Sequence, residues 1–311
     1  MAGRKRRELF PTRNFRGEVR YQEPMAMHTS LRIGGPAEVF AVPTEYGSLS
    51  DLYMILLEKK IPFLVVGGGT NLLVRDGGIE GVVISLTSLR RIEIFRVDHG
   101  CVYLKVEAGT PLQRLVSFAK DKGYTGIEGL VGIPGTFGGA VCGNSGAFGH
   151  EIKDVLVSVQ MIDAKGRRQD LSPEKLGFGY RHSRISAGQF VLGGEVKLGI
   201  STPEQVGAET QKFHKIKQET QPLWEASAGC VFKNPEGLSA GKLIDDAGCK
   251  GMKVGDAEVN TLHANFFINK GNVTSADFIA LMEKVSIRVK EKSGVRLEPE
   301  IRIVGNETGN Q

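Results

Sequence analysis

No run of about 18 apolar residues occurs anywhere in the 311-residue chain, so a membrane-spanning helix is not expected. The opening stretch MAGRKRRELFPTRNFRG lacks the apolar centre of a secretory signal, which points to a cytoplasmic protein. Cysteine is scarce: Cys101, Cys142, Cys230 and Cys249 form no CxxC pair, and the six histidines show no ligand-like spacing. A disulfide framework and a zinc site are therefore not expected, and no metal is implied. Excess charge of one sign is also missing. The formal net charge is +5, and residues 1–20 alone, with seven Arg/Lys and two Glu, account for all of it. A short basic terminus on an otherwise balanced chain reads as a solvated tail, and a nucleic-acid partner is not expected.

Glycine, by contrast, is abundant: 41 of 311 residues, about 13% where roughly 7% is usual. There is no Gly-X-Y period, internal repeat or low-complexity tract. The glycines therefore mark places where backbone turns tightly or approaches something closely.

At this length two or three compact units are expected. EVFAVP (38–43), an amphipathic LSDLYMILLEKK and IPFLVVGGGTNLLV (61–74) follow a strand–helix–strand rhythm. VVIS and CVYLKVEAG continue as strands. PLQRLVSFAKDKG (111–123) reads as a helix with Pro at its start and Gly at its end. VLVSVQMIDAKGR and QFVLGGEVKLG read as later strands. Composition shifts near 200–205, where a charged helix (206–219) begins, and a domain boundary is placed there. Further on, Thr274 and Asp277 suit a capping box, apolar residues recur at 278, 281, 282, 285 and 289, and Gly294 ends the helix. VRLEPEIRIVG (295–305) reads as a strand closing the last domain.

Two glycine loops carry the functional signal. VVGGGTNLLV sets Gly67, Gly68, Gly69, Thr70, Asn71 and Leu72 directly after an apolar strand, and residues 129–149 contain eight glycines. Bare backbone amides in two such turns suit a large ligand with a pyrophosphate. Tight turning alone is the competing explanation. Thr70, Asn71, Thr136, Asn144 and Ser145, interleaved with the glycines, favour a ligand. The dinucleotide fingerprint GxGxxG is absent, and GLSAGKL (237–243) is one residue short of a P-loop and has Leu where Ser/Thr would hold magnesium.

HTSLRIGGPAEVFAVP, VVGGGTNLLV and GIPGTFGGAVCGNSGAFG together resemble the FAD domain of the vanillyl-alcohol-oxidase type. The likeness extends through FGYRHSRI, AGCVFKNP, LSAGKLIDDAG, LHANFFIN and LEPEIRIVG, roughly residues 21–305, and is to the UDP-N-acetylenolpyruvoylglucosamine reductase family. The resemblance implies an α+β fold with FAD-binding lobes at 21–86 and 87–203. An α/β substrate-binding domain would follow at 204–305, with a basic tail at 1–20 and a short tail at 306–311. It implies non-covalent FAD, NADPH as co-substrate and a UDP-sugar substrate. NADPH would reduce FAD, hydride would pass to C3 of the enolpyruvyl ether, and C2 would be protonated, giving UDP-N-acetylmuramate. FAD contacts are expected from Gly67–Leu72 and from Gly132, Ile133, Pro134, Gly135, Thr136, Gly139, Asn144, Ser145 and Gly146.

Such chemistry needs a group for the substrate carboxylate, stabilisation of enolate charge, and an acid. Arg181 in GYRHS matches the family arginine, and its planar fork suits a carboxylate; a surface ion pair is the alternative. Glu300 in EPEIRIVG matches the family glutamate and would need a raised pKa. Period-2 spacing alone does not separate it from Glu298. Cys230 stands where many members have the serine that protonates C2. A thiol, of reference pKa about 8.5, is a much stronger acid than an alcohol, although Arg181 would deplete the acid form if it lowered that pKa too far. Inert packing is the other reading of an isolated Cys, and it is kept for Cys101, Cys142 and Cys249. Lys233, Asn234, Ser239 and Lys242 are expected near the UDP-sugar, and His28 and His263 are read as structural. Some members of the family carry an insertion with a lid tyrosine between these two positions; with 49 residues from Arg181 to Cys230, the resemblance implies the shorter subtype without that lid. A flavin oxidase on the same scaffold, or a binding module without turnover, are the alternatives.

Overall fold

The computed structural model describes residues 15–186 and 188–308; the first 14 residues of the basic tail lie outside it. The tail is shorter than expected, because β1 (Gly17–Pro24) already pairs along β2 (Pro36–Pro43). The predicted strand–helix–strand unit is β2, helix α1 (Tyr46–Glu58) and β3 (Phe63–Val66). After the glycine loop come β4 (Leu72–Val74) and β5 (Ile79–Ser85). The first sheet has the order β1-β2-β5-β3, in which β5 lies parallel to both β2 and β3. Its strands are apolar because α1 covers one face while a small core around Met25, Phe40 and Val83 fills the other.

The second lobe is an antiparallel sheet of β6 (Ile92–Asp98), β7 (Cys101–Glu107), β8 (Tyr124–Thr125), β11 (Leu156–Ile162), β12 (Arg168–Leu171) and β13 (Phe190–Ile200). A two-stranded ribbon, β9 (Gly146–Ala147) and β10 (His150–Glu151), lies beside it. Helix α2 (Leu112–Lys122) ends on Gly123 in the left-handed region, and α3 (Phe137–Gly143) starts from Thr136. One apolar core runs from Leu49 and Ile84 in the first lobe to Val106, Phe137 and Leu198 in the second, so the two lobes pack as one body.

Helix α4 (Pro203–Thr220) departs from the expected boundary at 203/204. Phe213 packs on that shared core and Lys217 donates to the Val131 carbonyl, so this helix belongs with lobe 2. Its mostly polar surface made it look like the start of a new unit. The last domain is an antiparallel sheet, β14 (Ala226–Cys230), β17 (Phe266–Asn269), β16 (Ala257–Val259), β15 (Lys253–Val254), packed by α5 (Ala240–Asp246) and α6 (Ser275–Ser293). The capping box of Thr274 and Asp277 and the Gly294 terminus occur as the sequence predicts.

The C-terminal segment does not close its own domain. Only Arg302–Val304 forms a strand, β18, and it runs parallel to β4 of lobe 1. Asn306 exchanges backbone bonds with Gly77 and Gly78, and Glu307 pairs with Arg75. A second latch joins the same bodies. The Asp76 carboxylate accepts from Ser275 N at 2.9 Å, Ser275 Oγ at 2.7 Å and Ala276 N at 3.4 Å. The two amides among these donors are ones that the first turn of a helix leaves unpaired, and an anion there is favoured. Asp76→Ala should therefore destabilise the protein by about 1–3 kcal/mol in urea unfolding. An unchanged midpoint would show that the latch contributes nothing.

Candidate active site

The two glycine loops, more than sixty residues apart in sequence, meet. A Cβ on Gly67 would stand 2.2 Å from Thr136 Oγ1, one on Gly68 would stand 3.1 Å from Gly135 Cα, and one on Gly135 would stand 2.7 Å from Thr70 Oγ1. Gln113, which sequence reasoning missed, shapes the second loop. It accepts from Gly132 N at 2.7 Å and donates to the Ile133 and Leu130 carbonyls. Beside the loops opens a cleft of about 490 Å³, lined by His28, Thr29, Ser30, Gly67, Gly68 and Ser85 among others. His28 stacks on Phe40 and bonds to Glu23. The Ser30 hydroxyl is buried without a hydrogen-bond partner among the described residues. A bare-backbone cradle beside a cleft with an unmet polar atom fits a cofactor with a pyrophosphate and polar rings, as FAD has.

The three residues assigned to chemistry converge. Arg181 Nε lies 3.0 Å from Glu300 Oε1, and both side chains are largely buried. Glu300 N donates to the Val231 carbonyl at 2.8 Å, which sets it next to Cys230. The Asn71 amide donates to the Glu300 carbonyl at 3.1 Å, and Arg302 N donates to Asn71 O. The first glycine loop therefore positions the glutamate directly. Glu298 goes elsewhere: it is exposed and pairs with Lys233 at 2.5 Å. Residues 298–300 are not strand apart from a bridge at Pro299, so the two glutamates do not share a face.

Cys230 ends β14 after a bulge against β17, with Gly229 at φ +74°. Asn265, also missed as a functional residue, fills the gap. Its side chain accepts from Phe232 N at 3.0 Å and donates to Phe232 O at 2.8 Å. The bulge re-aims Cys230 towards Glu300 and Arg181. Burial pushes its thiol up to about 12; the Glu300 charge adds to this, while Arg181 and a hydrogen bond from Asn265 oppose it. The arginine does not deplete the acid form. Burial likewise raises the Glu300 carboxyl above the usual range, against the pull of Arg181 and Lys233. Lys217 is pushed down to about 8, by burial first and then by Arg181.

Other expected contacts are placed differently. Asn144 is fully buried, with its amide on the Gly179 carbonyl and its oxygen on Lys153 N, so it does not face a cofactor. The Gly146 carbonyl is taken by Arg181 Nη2. Asn234 accepts from Ala240 N, and Ser239 caps α5. Lys242 is exposed and pairs with Asp246. Lys233, Asn234 and Ser239 thus serve local structure, and Lys242 points to solvent. Thr136 accepts from Gly139 N, so that pair shapes the start of α3.

This fold and site define an FAD-binding reductase. A profile described as FAD binding domain matches residues 37–172. One for the UDP-N-acetylenolpyruvoylglucosamine reductase C-terminal domain matches 221–304, starting where α4 ends. The reductase of that name from Geotalea uraniireducens is 42% identical over 290 residues, 93% of this chain and 95% of its own. That of Caldanaerobacter subterraneus is 42% identical over 93% and 94%. The solved UDP-N-acetylenolpyruvylglucosamine reductase of Thermus caldophilus superposes with a TM-score of 0.79 at 34% identity, over 93% of this chain and 98% of that one. The chain belongs to the UDP-N-acetylenolpyruvoylglucosamine reductase family.

Gly69 offers a test of the cradle. Its φ is +62°, and a Cβ there would sit 1.9 Å from the His28 carbonyl. Gly69→Ala should yield protein with little flavin, read as the ratio of absorbance at about 450 nm to that of the protein. Full yellow colour would show that the loop tolerates displacement.

Proposed function

We propose that this chain reduces the enolpyruvyl ether of a UDP-N-acetylglucosamine derivative to UDP-N-acetylmuramate in the cytoplasm, with Arg181, Glu300 and Cys230 as its acting groups. The carrying observation is their convergence beside the loop that fits FAD. Bound FAD supplies the hydride, obtained from NADPH.

Arg181 grips the substrate carboxylate and stabilises the negative charge that grows on its oxygens as hydride reaches C3. Burial raises the Glu300 carboxyl, which makes it easier for this group to share a proton with the substrate carboxylate and hydrogen-bond to the same oxygens. The Cys230 thiol gives its proton to C2. A group whose pKa is about 12 stays protonated at neutral pH, and it yields its proton only to a strong base such as an enolate carbon. The thiolate left behind is held by Arg181 and the Asn265 amide until solvent returns the proton. No helix among the described residues is long and apolar enough to cross a membrane.

Stopped-flow absorbance separates the half-reactions. Cys230→Ala should bleach with NADPH almost as wild type, yet substrate-driven recovery of colour should slow by about 10²–10⁴-fold. Cys230→Ser should retain useful activity. Normal recovery in the alanine variant would remove Cys230 as the acid. Arg181→Lys should be impaired in the same half-reaction, because it keeps charge but loses the planar fork; wild-type kinetics would exclude Arg181. With its thiol raised, Cys230 should also react with iodoacetamide at pH 8.5 about 10²–10³ times more slowly than a free thiol. Fast alkylation, mapped by mass spectrometry, would contradict the proposed protonation state.

A further inference from the structure

Arg181 occupies an unusual backbone position. It sits at φ +52°, in the left-handed region that a non-glycine residue rarely adopts. It lies on a tight turn closed by Gly179 and His182, whose amides and carbonyls bond to each other at 3.0 and 3.2 Å. Such a conformation persists only where the surroundings over-determine it. Here they come from one short stretch at the end of α3. Asn144 Nδ2 donates to Gly179 O at 3.0 Å, Ser183 Oγ donates to Cys142 O at 2.6 Å, and Arg181 Nη2 donates to Gly146 O at 3.0 Å.

Of these, Asn144 is the pivot. It is fully buried, it terminates α3 in the left-handed region at φ +43°, and its oxygen accepts from Lys153 N at 3.4 Å. Every polar end of its side chain is therefore committed to protein. The helix it ends begins at Thr136, in the second glycine loop. One seven-residue helix thus has the flavin cradle at its start and the arginine turn at its finish.

We propose that Asn144 is a positioning residue for the second half-reaction: its buried amide fixes the turn that presents Arg181 to the substrate carboxylate, and it takes no part in holding the cofactor. This rests on the reading of Arg181 given above. Displacing a carboxylate-binding fork by about 1 Å is enough to slow a reaction by about 100-fold. The effect should therefore fall on the substrate step and leave the NADPH step alone.

Two variants preserve the backbone that Asn144 needs. Asn144→Gly adopts the left-handed region freely and deletes the amide. Asn144→Asp keeps the shape but turns a carboxylate oxygen towards the Gly179 carbonyl. Both should bind FAD fully and bleach with NADPH within about twofold of wild type. Recovery of colour with the enolpyruvyl substrate should slow by about 10–100-fold, with a raised half-saturating substrate concentration. If Asn144 acts through Arg181, Asn144→Gly combined with Arg181→Lys should be no slower than Arg181→Lys alone, within about twofold. Wild-type recovery in both Asn144 variants, with Arg181→Lys impaired, would overturn the inference and leave the Arg181 assignment standing. Normal recovery in Arg181→Lys would instead remove the assignment on which it rests. Loss of flavin or of folded protein in both variants would place Asn144 in the scaffold of the cradle and equally overturn the inference.

Discussion

The contact between Arg181 and Glu300 is the constraint around which the site is arranged. It joins a turn of the second lobe to the last segment of the chain. A largely enclosed ion pair is strongly destabilised when either partner is removed, because the other charge is left without compensation. The surroundings accordingly hold both ends. Arg181 is held through the Gly146 carbonyl, and Glu300 through backbone bonds to Val231 and Asn71. The bond from Asn71 matters most, since the same loop forms half of the cofactor cradle. Cofactor loop, carboxyl and arginine form one connected set.

The electrostatics of the set are opposed by design of position. Enclosure works against charge on Cys230 and Glu300, and Arg181 works for it. Enclosure wins for both: the Cys230 thiol keeps its proton, and the Glu300 carboxyl is raised above the usual range although it is paired with Arg181. Lys217 is pushed down as well, by burial first and then by the charge of Arg181. The thiol at position 230 keeps its proton in this environment, because burial outweighs the arginine's influence.

Much of this arrangement could be read from the residues. The helix at 275–293 announced itself through Thr274, Asp277 and Gly294, each acting locally. The glycine loops pointed to a ligand through their bare backbone together with interleaved residues such as Thr70 and Thr136. Three features were beyond local patterns. Helix 203–220 is polar along most of its length, so its attachment to lobe 2 through Phe213 and Lys217 gives no strong periodic signal. The partner of Arg302–Val304 lies about 230 residues upstream, and short strands do not reveal distant pairing. Asn144 and Asn265 sit in motifs that the family resemblance flagged, yet an amide that faces a ligand and one that faces the backbone look identical in sequence. Only burial and hydrogen-bond partners separate them.

The pairing of β18 with β4 has a consequence for how the protein is made. The edge beside the first glycine loop is synthesised about 230 residues before the strand that covers it. Until then the loop lacks the backbone bond to residue 302, and Glu300 is absent altogether. Assembly of the site thereby waits for residues 300–304, so a polypeptide ending before them would carry much of the scaffold but lack the Glu300 carboxyl and the β18 pairing.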